Sequence, residues 1–389
     1  MQLLDRIGIM VKPTHRCNLN CIYCYDKKYR DEIKNDMSLD TVEEISKKLG
    51  NFAKSVNWIW HGGEALLMGK EWLTEACEIV EKYIDTVDFK LQTNGTLLDD
   101  DMIETMIKLK INVGVSYDGT AHDVSRGSGN KVFSNFKKYF NKTGNCGLIT
   151  VIGYHNVDKL IDTYNLYKEN GIKSFSYNIA TPYDMNGTIV RPLENPDEFL
   201  DKYLKFFDYW LSDKDGVSER TFMTFIDLIL GSKSLPCYYD TCVGKWLAFN
   251  PNGDIYPCDR WYPYNLGNIS DYKNIANVFY HKNFLMLKQQ QADKRLNCLK
   301  TCDFSEYCFG GCNGSSLTLY GDATKPDPNF CYIFKAMIKH VFVKIKDLSI
   351  EELDNINPAV SKKLKKSAYR GLSTIKQIID YNWEGRIGL

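Results

Sequence analysis

Residues 12–26 read KPTHRCNLNCIYCYD, and they decide how the rest of the chain is to be read. Cys17, Cys21 and Cys24 stand in a C-x3-C-x2-C pattern, just after an apolar run, Ile7 to Val11, that predicts a strand. Three thiolates on one tight loop can hold three corners of a four-iron cluster, because soft sulfur suits iron–sulfur iron. The fourth iron then lacks a protein ligand, and an open coordination position is where chemistry takes place. A zinc site is the alternative, although a closed structural zinc site takes four ligands.

Composition narrows the classes. The chain has 389 residues, enough for a large domain with a smaller one beside it. Its 49 basic and 49 acidic residues balance, so no nucleic-acid partner or anionic membrane is expected. The first residues, MQLLDRIGIMVKP, hold too short an apolar stretch for a signal peptide, and no later run reaches the length of a membrane span. A cytoplasmic protein is expected. In that compartment thirteen cysteines point to metal ligation rather than disulfides. Cys77 and Cys146 stand apart from the others and read as small core residues.

Apolar strand-like runs at 7–12, 57–61, 88–93, 111–116, 147–152 and 173–179 alternate with helical periodicity near 38–54, 69–86, 99–109, 131–142 and 156–170. This is the pattern of βα units on a parallel sheet. Ser38 and Asp40 predict a helix start, Asp99–Asp101 load another first turn with negative charge, and Gly171 predicts a helix end. Pro196–Leu211 and Glu219–Leu230 read as helices, the first with an aromatic stripe of Tyr203, Phe206, Phe207 and Trp210 expected in the core.

The strand ends carry the polar residues. The second closes on Trp58-Ile59-Trp60-His61-Gly62-Gly63-Glu64, the third on Gln92-Thr93-Asn94-Gly95, and the fourth on Ser116-Tyr117-Asp118-Gly119. Paired glycines allow close backbone approach to a ligand, and a carboxylate can accept from an ammonium. Taken singly, Asn94-Gly95 and Asp118-Gly119 are equally well explained as turns. Taken together with the cysteine loop, these segments resemble the radical S-adenosylmethionine (SAM) enzymes. That resemblance implies an open, six-unit partial (β/α)6 TIM-type barrel, with its site at the C-terminal strand ends. It implies that Cys17, Cys21 and Cys24 hold the cluster that cleaves SAM to a 5′-deoxyadenosyl radical. Tyr23, Gly62, Gly63, Glu64, Asn94, Ser116 and Arg126 would then contact SAM. Ala65 stands where the family has proline.

Beyond residue 236 come Cys237, Cys242, Cys258, Cys298, Cys302, Cys308, Cys312 and Cys331, eight cysteines that suit two four-thiolate clusters. Asn250–Asp259 reads as a β-hairpin turning at Asn252-Gly253 and delivering Cys258. The region resembles the SPASM domain of peptide- and protein-modifying radical SAM enzymes, and a zinc ribbon is the alternative. By the SPASM pattern Cys237, Cys242, Cys258 and Cys312 hold one auxiliary cluster, and Cys298, Cys302, Cys308 and Cys331 hold the other. Spacing alone does not assign Cys312. The expected organisation is a barrel over 1–230, a SPASM domain over 231–340 and a helical tail over 341–389, whose Lys362–Lys366 stretch reads as a solvated helical cap, with a docking surface for an acidic leader as the alternative.

The resemblance implies an oxidoreductase with three [4Fe-4S] clusters and SAM, working anaerobically on a precursor peptide or protein with a flavodoxin- or ferredoxin-type electron donor. Two reactions fit. Peptide maturases of this architecture form intramolecular thioether, carbon–carbon or ether cross-links, and anaerobic sulfatase-maturating enzymes make formylglycine from Cys or Ser. Asp259, directly after Cys258, matches the catalytic aspartate of the latter, with a structural pair to Arg260 as its alternative. His61 replaces their glutamine and Asp26 their tyrosine, so cross-linking is the expected reaction. A plain iron–sulfur electron carrier would have no use for Gly62–Glu64. Only six residues precede the first strand, so the N-terminal recognition domain that many maturases carry is not expected.

Overall fold

The computed structural model describes residues 3–32, 34–185, 188–193, 195–232, 237, 242–349, 351–368 and 376–377. Eleven strands lie among them: β1 (Leu4–Val11), β2 (Ala53–Trp60), β3 (Thr86–Thr93), β4 (Asn112–Ser116), β5 (Gly147–Ile152), β6 (Ser174–Ile179), β7 (Tyr183–Met185), β8 (Thr188–Val190), β9 (Ser218–Glu219), β10 (Trp246–Phe249) and β11 (Ile255–Tyr256). β1 to β6 pair in sequence order, all parallel, with helix between each successive pair, and this is the expected α/β partial barrel. The crossover helices begin where the sequence signals them. Ser38 Oγ accepts from Thr41 N at 3.1 Å, and Asp99 caps the helix Asp100–Lys108 through Met102 N at 2.9 Å. Gly171, at φ +72°, follows the helix Leu160–Glu169.

The sheet continues past these six strands. β9 extends it beside β6, and on the other side β10 runs parallel to β1, with β11 antiparallel to β10. Gly8 makes this edge possible, since a Cβ there would sit 2.4 Å from the Trp246 ring. The β10–β11 connection is the predicted hairpin: Gly253 N donates to Asn250 O at 2.9 Å, with Gly253 at φ +85°. The cysteine-rich region thereby enters the barrel sheet next to the strand that carries the first cysteine loop. Lys12 N, donating to Phe249 O at 2.9 Å, extends that pairing to the mouth of the barrel.

The aromatic stripe is core. Tyr203, Phe206, Phe207 and Trp210 are fully buried and gather on Phe222, each ring centroid 5.1 to 5.2 Å from it. Cys77 and Cys146 are buried too. The helix Pro358–Ala368 buries Val360 and Leu364 and turns Lys362 and Lys366 to solvent; the tail's remainder lies mostly outside the described residues. No described helix is long and apolar enough to cross a membrane.

Candidate active site

All thirteen cysteines are free thiols. Cys17, Cys21 and Cys24 lie on the loop between β1 and the helix Lys27–Glu32. Burial pushes the Cys21 thiol up to about 11, and the neighbouring Cys24 and Cys17 add to the shift, as expected of thiolates close enough to repel. Two donors meet the other sulfurs: Arg30 Nη2 reaches Cys24 Sγ at 3.3 Å and Asn94 Nδ2 reaches Cys17 Sγ at 3.6 Å. Three thiols on one loop, two of them met by hydrogen-bond donors, are of the chemistry that suits an anionic iron–sulfur cluster.

The Gly62-Gly63-Glu64 segment lies under this loop, and its glycines have a structural reason of their own. A Cβ on Gly62 would sit 2.4 Å from Thr14 O; one on Gly63 would sit 2.2 Å from Arg16 O and 2.3 Å from His15 O. The close backbone approach expected of the pair is therefore made to the cysteine loop itself. Gly63 N and Glu64 N donate to Thr14 O and Arg16 O at 3.0 and 2.8 Å. Glu64 is buried, and its carboxylate takes three donors: Leu66 N at 3.1 Å, Thr93 Oγ1 at 2.8 Å and Asn94 N at 2.8 Å. It ties the end of β2 to the end of β3.

Asn94 is both turn residue and site residue. Its Oδ1 accepts from Thr96 N at 2.9 Å, while its amide group donates to Asn18 and Cys17. Ser116 accepts from Gln92 Nε2 at 2.8 Å. Tyr23 donates to Asp118 and accepts from Arg126 Nη1 at 2.9 Å. Asp118, fully buried, also accepts from Ser125 Oγ at 2.6 Å and Val151 N at 3.0 Å. Arg126 Nε is buried without a hydrogen-bond partner among the described residues. A half-buried guanidinium with this buried donor, within electrostatic reach of Cys21, is suited to a ligand carboxylate.

On the opposite side of the loop lies a polar network that sequence reading did not foresee. Lys12, the residue after β1, is fully buried. Its Nζ donates to Asp26 Oδ1 at 2.8 Å, Tyr262 Oη at 2.6 Å and the Asp259 carbonyl at 3.1 Å. His15 Nδ1 meets the other Asp26 oxygen at 2.9 Å, and Tyr262 donates to Asp26 at 2.6 Å. Burial alone would raise Asp26, but Lys12 and His15 hold its carboxyl well below the usual range. The Asp259 carboxylate accepts from Tyr25 and lies 3.2 Å from Cys258 Sγ. Burial opposes its ionisation; Lys12, His61, the Tyr25 hydroxyl and Arg260 outweigh that and keep it low. Arg260 donates to Thr181 and stacks over the Tyr25 ring at 4.7 Å. Burial lowers His61, whose imidazole is thus neutral near pH 7. Beside this network a pocket opens between Tyr25, Tyr29, Tyr183, Arg260 and Tyr262.

The remaining cysteines fall into two groups. Cys242 is pushed up to about 12 by burial and then by Cys312 and Cys237; Cys258 is raised by burial, Asp259, Cys312 and Cys242. Cys331 is pushed up to about 12 by burial and then by Cys308, Cys298 and Cys302. Cys242, Cys258 and Cys312 thus influence one another, as do Cys298, Cys308 and Cys331. The residues flanking Cys237 lie outside the described residues.

Comparison with known proteins bears on the family. The Radical SAM superfamily profile matches residues 11–186, and the SPASM profile, an iron-sulfur cluster-binding domain, matches 236–317. A cysteine-type anaerobic sulfatase-maturating enzyme of Clostridium novyi is 27% identical over 371 residues, covering 88% of this chain and 97% of that protein. The radical SAM cyclopropyl synthase TigE of Paramaledivibacter caminithermalis is 23% identical, covering 89% of this chain and 76% of its own. Among solved structures, anSMEcpe with bound AdoMet and Cp18Cys peptide superposes with a TM-score of 0.76 at 24% identity, covering 87% of this chain and 97% of that one. The chain is an enzyme of the radical SAM superfamily carrying a SPASM iron–sulfur domain.

Proposed function

We propose that this enzyme modifies a side chain of a peptide or protein and closes an intramolecular cross-link there. The observation that carries the reading is the Lys12 network: Asp26, one of the two positions where this chain departs from the formylglycine-forming pattern, pairs with the buried ammonium that also holds the Asp259 carbonyl, and His61, the other, is within electrostatic reach of Asp259 and Lys12. In this reading Cys17, Cys21 and Cys24 hold one [4Fe-4S] cluster, and the two quartets, Cys237, Cys242, Cys258, Cys312 and Cys298, Cys302, Cys308, Cys331, hold two more. Tyr23, Gly62, Gly63, Glu64, Asn94, Ser116 and Arg126 form the SAM site, with Arg126 facing the ligand carboxylate. When bound, SAM and the clusters supply a hydrogen-abstracting radical and a sink for the surplus electron.

The chain's own groups do the rest. Asp259, held ionised, takes the proton released as the substrate radical is oxidised. Tyr25 and Lys12 fix its position. His61, neutral, offers an uncharged donor or acceptor to the peptide. Tyr25, Tyr29, Tyr183 and Tyr262 line the pocket and keep water from it once the peptide is seated. A flavodoxin- or ferredoxin-type protein is the electron donor.

Formylglycine formation is the second reading, favoured by the full-length likeness to sulfatase-maturating enzymes and by Asp259 beside Cys258. The test is anaerobic incubation of reconstituted enzyme with two probes, a cysteine-containing sulfatase peptide and a peptide from a short reading frame beside its gene. Cross-linking removes a hydrogen pair, blocks fragmentation between the joined residues and leaves nothing for an aldehyde reagent to trap. A trapped aldehyde on the sulfatase peptide would establish the second reading and refute the first.

A further inference from the structure

The helix Lys282–Thr301 presents Gln291, Lys294 and Cys298 on one face, at spacings of three and four residues. Lys294 is fully buried. Its Nζ donates to Asn313 Oδ1, to Ser316 Oγ at 3.3 Å and more weakly to Gly311 O at 3.5 Å. Every hydrogen bond it makes among the described residues thus goes to a neutral oxygen. The site is built for it. Gly310, at φ +89°, lets the lysine stem pass, since a Cβ there would lie 3.1 to 3.2 Å from its methylenes. Asn313, which receives the ammonium, is oriented by Gln291 at 2.9 Å and donates to Cys242 Sγ at 3.7 Å.

An ammonium taken out of water without an anionic partner is strongly destabilising. Burial pushes Lys294 toward the neutral form, and the groups that oppose this are Cys312 and Cys242 of one quartet and Cys308 and Cys298 of the other. Lys294 therefore stands one helical turn before a ligand of the second quartet, while its head group reaches the residue after Cys312 of the first.

We propose that Lys294 is the shared counter-charge of the two C-terminal cysteine quartets, a positioning residue that raises the reduction potential of the cluster each holds. This rests on the quartets holding clusters, as proposed above. A fixed positive charge stabilises the more negative, reduced state of both neighbours.

The test is a potentiometric electron-paramagnetic-resonance titration of the full-length reconstituted protein, with iron counted per chain, for wild type, Lys294→Met, Lys294→Gln and Lys294→Arg. The expected result is that both neutral variants lower the potentials of both auxiliary clusters, leave the Cys17–Cys24 cluster unmoved, and that Lys294→Arg stays near wild type. Failure of both neutral variants to load iron while Lys294→Arg loads fully also supports the charge role. Unmoved potentials at full iron, a shift at one quartet alone, or loss of iron in all three variants would overturn it. Wild-type iron too low to fill both quartets would overturn the quartet reading and the role of Lys294 with it.

Discussion

Replacing Lys12 by Met removes the ammonium from the centre of the active-site network while keeping most of the side-chain volume. Asp26 is then left buried with His15 and Tyr262 as its partners. Removing one member of a buried ion pair costs about 3–5 kcal/mol, against at most ~1 kcal/mol for an exposed pair. Lys12 and Asp26 are fully and almost fully buried, so the larger figure applies. Asp26→Asn alone is expected to cost a similar amount, because it strands the ammonium. The double variant, with both charges gone, should recover about 2 kcal/mol or more of the summed loss. The pH dependence has a definite sign. The folded carboxyl of Asp26 is depressed, so its stabilising contribution is present above the ordinary carboxylate value of about 4 and is lost as pH falls through the lower folded value. In Lys12→Met burial dominates and raises that carboxyl, so the penalty relative to wild type grows as pH rises above the ordinary carboxylate value of about 4. Anaerobic urea unfolding of the four reconstituted proteins measures the cycle. Single-variant losses below ~1 kcal/mol, or losses that simply add in the double variant, would refute the buried-pair argument.

Other outcomes follow from the same geometry. Gly63→Ala places a methyl group 2.2 Å from Arg16 O and should cost at least ~1–3 kcal/mol and most of the iron held by the first cysteine loop; full iron content in that variant would show that the loop does not depend on this contact. Asp259→Asn should leave 5′-deoxyadenosine formation intact while lowering modified peptide by about 10²-fold or more, and loss of both together would place Asp259 in the SAM site instead. His61 is depressed below its ordinary value of about 6.5, so folding opposes its protonation and stability at this site falls as pH drops through that value. His61→Gln should flatten that part of the unfolding profile, and an unchanged slope would show that another group sets it.

Much of this molecule was legible in its sequence because its signals are local. Short apolar runs placed β1 to β6, and caps such as Ser38 and Asp99 placed helix starts. Cysteine spacing named the loop of Cys17, Cys21 and Cys24. What sequence did not show depends on partners far along the chain. β10 joins β1 across more than two hundred residues, and its clearest sign is Gly8, whose missing side chain matters only once Trp246 is beside it. Lys12 looked like an ordinary residue after a strand. Its meaning comes from Asp26, Asp259 and Tyr262 converging on it, although Asp26 stood out as a departure from the family pattern. The glycines at 62 and 63 were read toward a ligand, while the backbone they approach is that of the cysteine loop. Lys294 gave no signal at all, since one lysine in a polar helix is unremarkable until its burial and its contact with Asn313 are seen.

The central claim is that three clusters are present and that the one on the first loop cleaves SAM. Anaerobic reconstitution, iron and sulfide analysis, and addition of SAM with a reductant test it most directly. The account predicts about twelve irons per chain, 5′-deoxyadenosine formed by wild type, and no 5′-deoxyadenosine from Cys24→Ala with the auxiliary iron retained. Zinc in place of iron, or 5′-deoxyadenosine undiminished in Cys24→Ala, would contradict it.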